Sequence, residues 1–227
     1  MTFSALFKVW ATVLAAVLAA TLLSAAAFTP GAGAQETGCK GQVVLDAGHG
    51  GTDSGAVNTR YGLTEKEQTL NVAKRLDTLL EGDGYTVCMT RTSNSQTLSN
   101  NARYTYANTT GADVLVSIHM NGSTNGSTDY TTTLFGKWRK DKELANTIFG
   151  SLSTLPAASG TGTIGTRTPY SFASGVLLKS NMPATIAETV FITSDREGQL
   201  LSNGTGARQQ QIAQALRVGI EEYLATH

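Results

Sequence analysis

Histidine is scarce in this 227-residue chain: there are three, and one of them, His227, ends the sequence. The other two each close a short apolar run. His49 ends Val43-Val44-Leu45-Asp46-Ala47-Gly48-His49, just ahead of Gly50-Gly51, and His119 ends Val114-Leu115-Val116-Ser117-Ile118-His119. Such runs read as buried strands, and ligands of open α/β sheets gather beyond the carboxyl ends of parallel strands. Alone, a strand-end histidine is more often a packing residue than a ligand. Two at one edge can hold a metal, given a third group. A catalytic zinc commonly takes two histidines and a carboxylate and leaves a fourth position to water. Glu65 sits in the first turn of a helix that follows the loop 50–62, so that loop can fold back and present its carboxylate to His49. Glu67, two residues on, is the competing candidate, although a capping box with Thr64 would account for it. Spacing favours Glu65 without excluding Glu67.

Hydrolysis at such a centre also needs a group that takes a proton from water and returns it to the leaving atom. Glu188 is the one charge within Pro183-Ala184-Thr185-Ile186-Ala187-Glu188-Thr189-Val190-Phe191-Ile192. A carboxylate in so apolar a segment must find a partner or shift its pKa upward. If the strand lies at an exposed edge instead, Glu188 is an ordinary surface residue.

The elements that must position these groups alternate between short β-rich runs and helical patterns, the mark of a sheet covered by helices. Strands are expected at residues 42–46, 85–90, 114–119, 175–179 and 184–192, with a more exposed added strand at 129–135. Helices are expected from Thr64, with Leu70, Ala73, Leu76, Leu79 and Leu80 on one face and Gly82 and Gly84 at its end, and over 99–108, 141–152 and 207–225. Residues 122–127 and 157–170, dense in Gly, Ser, Thr and Asn, read as loops.

The chain opens with Lys8 and an apolar run over 9–28, followed by Ala32-Gly33-Ala34, the pattern of a signal peptide cleaved after Ala34. The run is long enough that an uncleaved anchor is the competing reading. Residues 35–227 then make one domain. Lys8 is the only charge lost with residues 1–34, which leaves 16 basic against 17 acidic groups. With no basic run, nothing points to nucleic acid as a partner. In an exported chain Cys39 and Cys88 read as a disulfide rather than two free thiols.

The motifs, taken in order, resemble the zinc-dependent N-acetylmuramoyl-L-alanine amidases of the type-3 family. The matching blocks are Leu45-Asp46-Ala47-Gly48-His49-Gly50-Gly51-Thr52-Asp53-Ser54-Gly55-Ala56, Gly62-Leu63-Thr64-Glu65-Lys66, Thr90-Arg91, Arg103 with Ala107-Asn108, Ser117-Ile118-His119-Met120-Asn121 and Ala187-Glu188-Thr189-Val190-Phe191-Ile192. They span nearly all of residues 35–227. The resemblance implies a single-domain α/β sandwich with a mostly parallel, roughly six-stranded sheet flanked by helices. It implies one Zn²⁺ held by His49, Glu65 and His119, and so selects Glu65 over Glu67, with Glu188 as the catalytic glutamate. The implied reaction is cleavage of the amide between the N-acetylmuramic acid lactyl group and L-alanine, in peptidoglycan or muropeptides. The implied enzyme is an autolysin; the signal pattern places it in the periplasm or cell wall, free of the membrane once the signal is removed, and with no long apolar seam left unassigned a monomer is expected.

Ala47 stands where the family commonly has proline, which leaves the ligands untouched. Arg91 and Arg103 also match, and we read them as structural supports rather than binders of substrate carboxylates. Many relatives attach a wall-binding or septal-targeting module, and some insert a helix after the second zinc histidine that plugs the site. Here the catalytic domain is expected to fill the chain, and 121–138 is too short and glycine-rich for a plug. Two other readings compete: a zinc peptidase acting within the stem peptide, and a non-catalytic wall-binding relative. The complete ligand set together with Glu188 argues against the latter.

Overall fold

The computed structural model describes residues 38–227; the leader expected over 1–34 lies outside the described residues. In chain order the first half holds β1 (Val43–Ala47), β2 (Val57–Asn58), β3 (Leu63–Thr64), α1 (Glu65–Gly82), β4 (Val87–Met89), α2 (Asn100–Thr110) and β5 (Val114–Asn121). The second half holds β6 (Thr132–Phe135), α3 (Trp138–Leu152), β7 (Tyr170–Ser171), α4 (Gly175–Lys179), β8 (Ala184–Phe191), α5 (Asp195–Ser202) and α6 (Ala207–Leu224).

Strands that are apolar on both faces take the centre of a sheet, where helices can cover each side. Here β1, β5 and β8 lie adjacent and parallel, with Val43 opposite Val114 and Leu115 opposite Ala184. β4 adds a further parallel strand outside β1, β6 runs antiparallel to β8, and β7 runs parallel to β6 at the edge. The order β4-β1-β5-β8-β6-β7 is the mostly parallel, six-stranded sheet expected. Alternation along β1 divides the core: Val43 and Leu45 pack with Leu76 and Leu80 of α1, Ile148 of α3 and Leu216 of α6, whereas Val44 packs with Ala107 of α2 and Leu177 of α4.

Cys39 and Cys88 form a disulfide, their Cα atoms 6.0 Å apart, which ties the segment before β1 to β4. Closing a loop of 49 residues stabilises by about 4 kcal/mol in the chain-entropy picture. Reduction should therefore lower the melting temperature while metal stays bound, since neither sulfur lies at the sheet edge that carries the histidines. Two titratable thiols in native protein would refute the bridge.

Three local expectations are corrected. Residues 175–179, read as a strand, form the helix α4. A five-residue apolar run does not distinguish the two, and both sides of β8 are already taken by β5 and β6. Residues 129–135, expected to be an exposed strand, yield β6, whose four residues are all buried. Of its two threonine hydroxyls, Thr133 Oγ1 donates to Ala145 O at 2.8 Å, whereas Thr132 Oγ1 is buried with no partner; across the seam, Thr185 Oγ1 of β8 donates to Leu134 O at 3.0 Å. The short β2–β3 hairpin, β7 and α5 have too few residues to impose a period and were not read from sequence.

The capping box is the third correction. Thr64 occupies the N-cap of α1 but its side chain makes no cap hydrogen bond, and Glu67 is exposed. Loop carbonyls satisfy the first turn instead: Ala56 O accepts from Glu65 N at 2.9 Å and Ser54 O from Lys66 N at 3.1 Å. Thr64 Oγ1 is left out of solvent with no partner. Thr64→Val should thus stabilise the protein by about 1 kcal/mol, and Glu67→Ala should change stability by no more than about 0.5 kcal/mol. Loss of stability in Thr64→Val on chemical denaturation would restore the cap.

Candidate metal centre

The chain leaving β1 turns sharply at His49, whose φ of 60° is left-handed, a conformation that costs a residue with a Cβ about 1–2 kcal/mol. Two guanidiniums hold it there. Arg103, on α2, donates to Ala47 O at 2.8 Å and to His49 O at 2.7 Å. Arg91, just after β4, donates to Ala47 O at 2.9 Å and to Gly48 O at 2.8 Å. Three successive carbonyls are thereby pinned, and both arginines are engaged in the scaffold. Arg103 also pairs with the buried Asp46 at 2.7 Å, which accepts from Ser117 Oγ and Thr90 Oγ1, each at 2.6 Å. Burial by itself would raise the Asp46 pKa; the Arg103 charge and these hydrogen bonds outweigh it and hold the carboxyl below its usual range. Burial, reinforced by the Arg103 charge, pushes Arg91 down to about 10.

β5 runs beside β1 and delivers His119 to the same edge, since Ile118 lies opposite Ala47. The approach is close enough to demand glycine at 48: a Cβ there would stand 2.4 Å from His119 Cε1. The two imidazoles meet edge-on with centroids 4.9 Å apart.

Glu65 opens α1 and is buried beneath them. Its Oε2 accepts from Ala56 N at 2.8 Å. Its Oε1 accepts from Met120 N at 2.9 Å and stands 3.0 Å from His119 Nδ1 and 3.1 Å from His49 Nε2. Burial would raise its pKa; hydrogen bonds from His119 and His49 and their charges reverse that, and the carboxyl titrates far below its usual range. The other ring nitrogen of His49, Nδ1, lies 2.9 Å from Asp53 Oδ2. Burial depresses the His49 pKa, but the two carboxylates more than offset it and raise the pKa overall. Asp53 was part of a matching block without an assigned role. A carboxylate four residues after a ligand histidine, on a glycine-rich turn, was the available signal, because such an acid orients the ring from behind.

One atom from each of His49, Glu65 and His119 lies within 4.8 Å of the others. Ligand atoms around a tetrahedral zinc lie about 3.4 Å apart, given bonds near 2.1 Å. The two histidine–glutamate separations are already close to that, so the donor set fits a zinc ion with small adjustments. Glu67, exposed on α1, is not brought to this edge.

Glu188 lies directly opposite His119 in the β5–β8 pairing and opposite Thr132 of β6 on its other side. It is half-buried within the sheet, not on an edge strand. Burial pushes its pKa up and the Glu65 charge adds to this, against a smaller lowering by His119 and His49. His49, His119, Glu188, Asp53, Tyr170 and Phe172 share the lining of one cleft of about 310 Å³. The two aromatic residues come from the β7 segment and were not singled out by sequence. The arrangement offers a three-donor metal site with a carboxyl group beside it, the layout of a metal-assisted hydrolase.

The family described as N-acetylmuramoyl-L-alanine amidase matches residues 43–222. The chain is 34% identical over 185 residues to the N-acetylmuramoyl-L-alanine amidase LytC of Bacillus subtilis (strain 168), an alignment that covers 80% of this chain and 35% of LytC. It is 30% identical over 230 residues to the N-acetylmuramoyl-L-alanine amidase AmiA of Escherichia coli (strain K12), covering 84% of this chain and 78% of AmiA. Among solved structures, the N-acetylmuramoyl-L-alanine amidase from Clostridium difficile 630 superposes with a TM-score of 0.72 at 32% identity, over 81% of this chain and 96% of that one.

Proposed function

The chain belongs to the type-3 N-acetylmuramoyl-L-alanine amidase family, and on that premise we propose that it hydrolyses the amide between the N-acetylmuramic acid lactyl group and L-alanine of peptidoglycan, with one zinc ion held by His49, Glu65 and His119. The observation that carries this reading is the convergence of His49 Nε2 and His119 Nδ1 on one oxygen of Glu65, with Glu188 paired beside His119. When bound, zinc supplies a Lewis acid for the scissile carbonyl oxygen and favours the ionised form of water at neutral pH.

The chain's own residues do the rest. Asp53 fixes the ring of His49, and the backbone N–H groups of Ala56 and Met120 hold the Glu65 carboxylate in place. Glu188 accepts a proton on its carboxylate from the attacking water and returns it to the leaving L-alanine nitrogen, so that the departing group is a neutral amine. Its raised pKa suits both halves of that task, because a group that must accept and then release a proton works best with a pKa near the working pH.

The disulfide supports export to an oxidising compartment, and we propose removal of residues 1–34 and action at the cell wall or periplasm. No helix among the described residues is long and apolar enough to cross a membrane. We propose that it acts as a monomer, because His49, Glu65, His119 and Glu188 complete the site without a second copy. The test is to incubate zinc-loaded protein with purified peptidoglycan: new amino termini should be L-alanine, on peptides released from glycan that retains its lactyl groups. New termini within the stem peptide would identify a peptidase and overturn the proposal.

A further inference from the structure

Arg167, on the connection between α3 and β7, has no part in the chemistry above. Its guanidinium lies 4.8 Å over the Tyr170 ring and donates to Tyr130 Oη at 3.4 Å, and its backbone N–H is fixed to Thr131 O at 3.0 Å. The residue is exposed, and the neighbours that raise its pKa are Tyr130 and Tyr170. The Tyr170 ring and the Tyr130 hydroxyl therefore hold a cation in place without pairing it with an acid. The other guanidiniums of this region, Arg91 and Arg103, are committed to backbone carbonyls and Asp46. Tyr170, on which Arg167 rests, lines the same cleft as Glu188.

The geometry points to Arg167 as a specificity-determining residue that binds the free carboxylate on the second residue of the stem peptide, one residue beyond the amide cleaved; this rests on the function proposed above. Peptidoglycan stems run through the γ-carboxyl of their second residue, a D-glutamate, so its α-carboxylate is left free unless it is amidated. The distances agree. Glu188 pairs with Thr132 in β6, and the neighbouring Thr131 bridges to Thr166, so Arg167 lies two strand spacings from Glu188, roughly 10 Å. From the scissile bond, two extended residues carry the stem on the order of 7 Å, and the length of the arginine side chain spans the difference.

The electrostatics favour such a partner as well. Asp53 and Glu188 line the cleft with carboxyl groups, and an anionic stem entering past them gains from an opposing charge at the rim. A planar guanidinium can meet a carboxylate through two parallel hydrogen bonds, and stacking on Tyr170 sets its plane beforehand.

The test uses binding, so it does not depend on turnover. Two tripeptides, L-alanyl-γ-D-glutamyl-L-lysine and the same peptide with the α-carboxylate converted to carboxamide, are titrated into zinc-loaded protein by calorimetry. The wild type should bind the carboxylate form about tenfold tighter or more. Arg167→Gln should bind both forms alike while keeping its zinc and melting temperature, and Arg167→Lys should recover only part of the preference. Equal binding of the two peptides by wild type, or an undiminished preference in Arg167→Gln, overturns the inference. Protein that releases L-alanine termini yet shows no preference loses Arg167 alone; a preference without release leaves Arg167 in place and removes the amidase reading.

Discussion

His119→Ala is expected to lose zinc and hydrolysis together while the protein stays folded. Two remaining donors do not hold a catalytic zinc, which ordinarily takes three from the protein, and without the ion the carbonyl is not polarised and water is not activated. Activity should fall to background, a loss of at least about 10³-fold, with metal content near zero by elemental analysis after dialysis. His49→Ala should do the same, and removal of zinc from the wild type by a chelator should reproduce the effect reversibly. Glu65→Ala is a harsher change. Besides the metal, its carboxylate holds the buried N–H of Met120 and the N–H of Ala56, and leaving such groups unpaired costs about 1–3 kcal/mol each. Histidine variants thus isolate the metal from the fold. Full zinc occupancy in His119→Ala would refute the ligand assignment.

Glu188→Gln separates proton transfer from metal binding. Glutamine keeps the size and hydrogen-bonding capacity of the side chain but cannot carry the proton, so zinc content and melting temperature should stay at wild-type values. Turnover should drop by roughly 10²–10⁴, the usual contribution of a general acid–base group. The pH profile gives the sign. Glu188 must be ionised to accept the proton, and burial raises its pKa above that of an ordinary glutamate. Activity should therefore rise with pH through that elevated pKa and be lost below it, and glutamine should remove this carboxylate's share of the acid limb. Wild-type turnover in Glu188→Gln would make the residue a bystander even with zinc correctly placed.

The residue types of the site were legible in the sequence because their local settings are unusual. Two of only three histidines close apolar runs, and Glu188 is a solitary charge in a run that must be buried. Strands β1, β5 and β8 and helices α1, α3 and α6 declared themselves by period, since each buries a face long enough for repetition to show. The choice between Glu65 and Glu67 was not local. It rested on family resemblance at the level of sequence, and in the fold it follows from the loop 50–62 closing onto the helix start, where Ser54 and Ala56 take up the first N–H groups.

Competition over long range decided the remainder. Thr64 has the residue type of a cap, but the loop carbonyls occupy that role and its hydroxyl is left unpaired. Residues 175–179 carry a pattern that suits strand or helix equally, and filled positions on both sides of β8 leave only the helix. The strained turn at His49 is held by Arg91 and Arg103, which are 42 and 54 positions away in the chain. Periodicity and residue type are properties of neighbours in sequence, and so the sequence alone determined which segments would be buried and which side chains could do chemistry. Occupancy of a hydrogen-bond acceptor or a place in a sheet depends on segments far apart in the chain, and only tertiary structure could bring His49, Glu65 and His119 to one point beside Glu188.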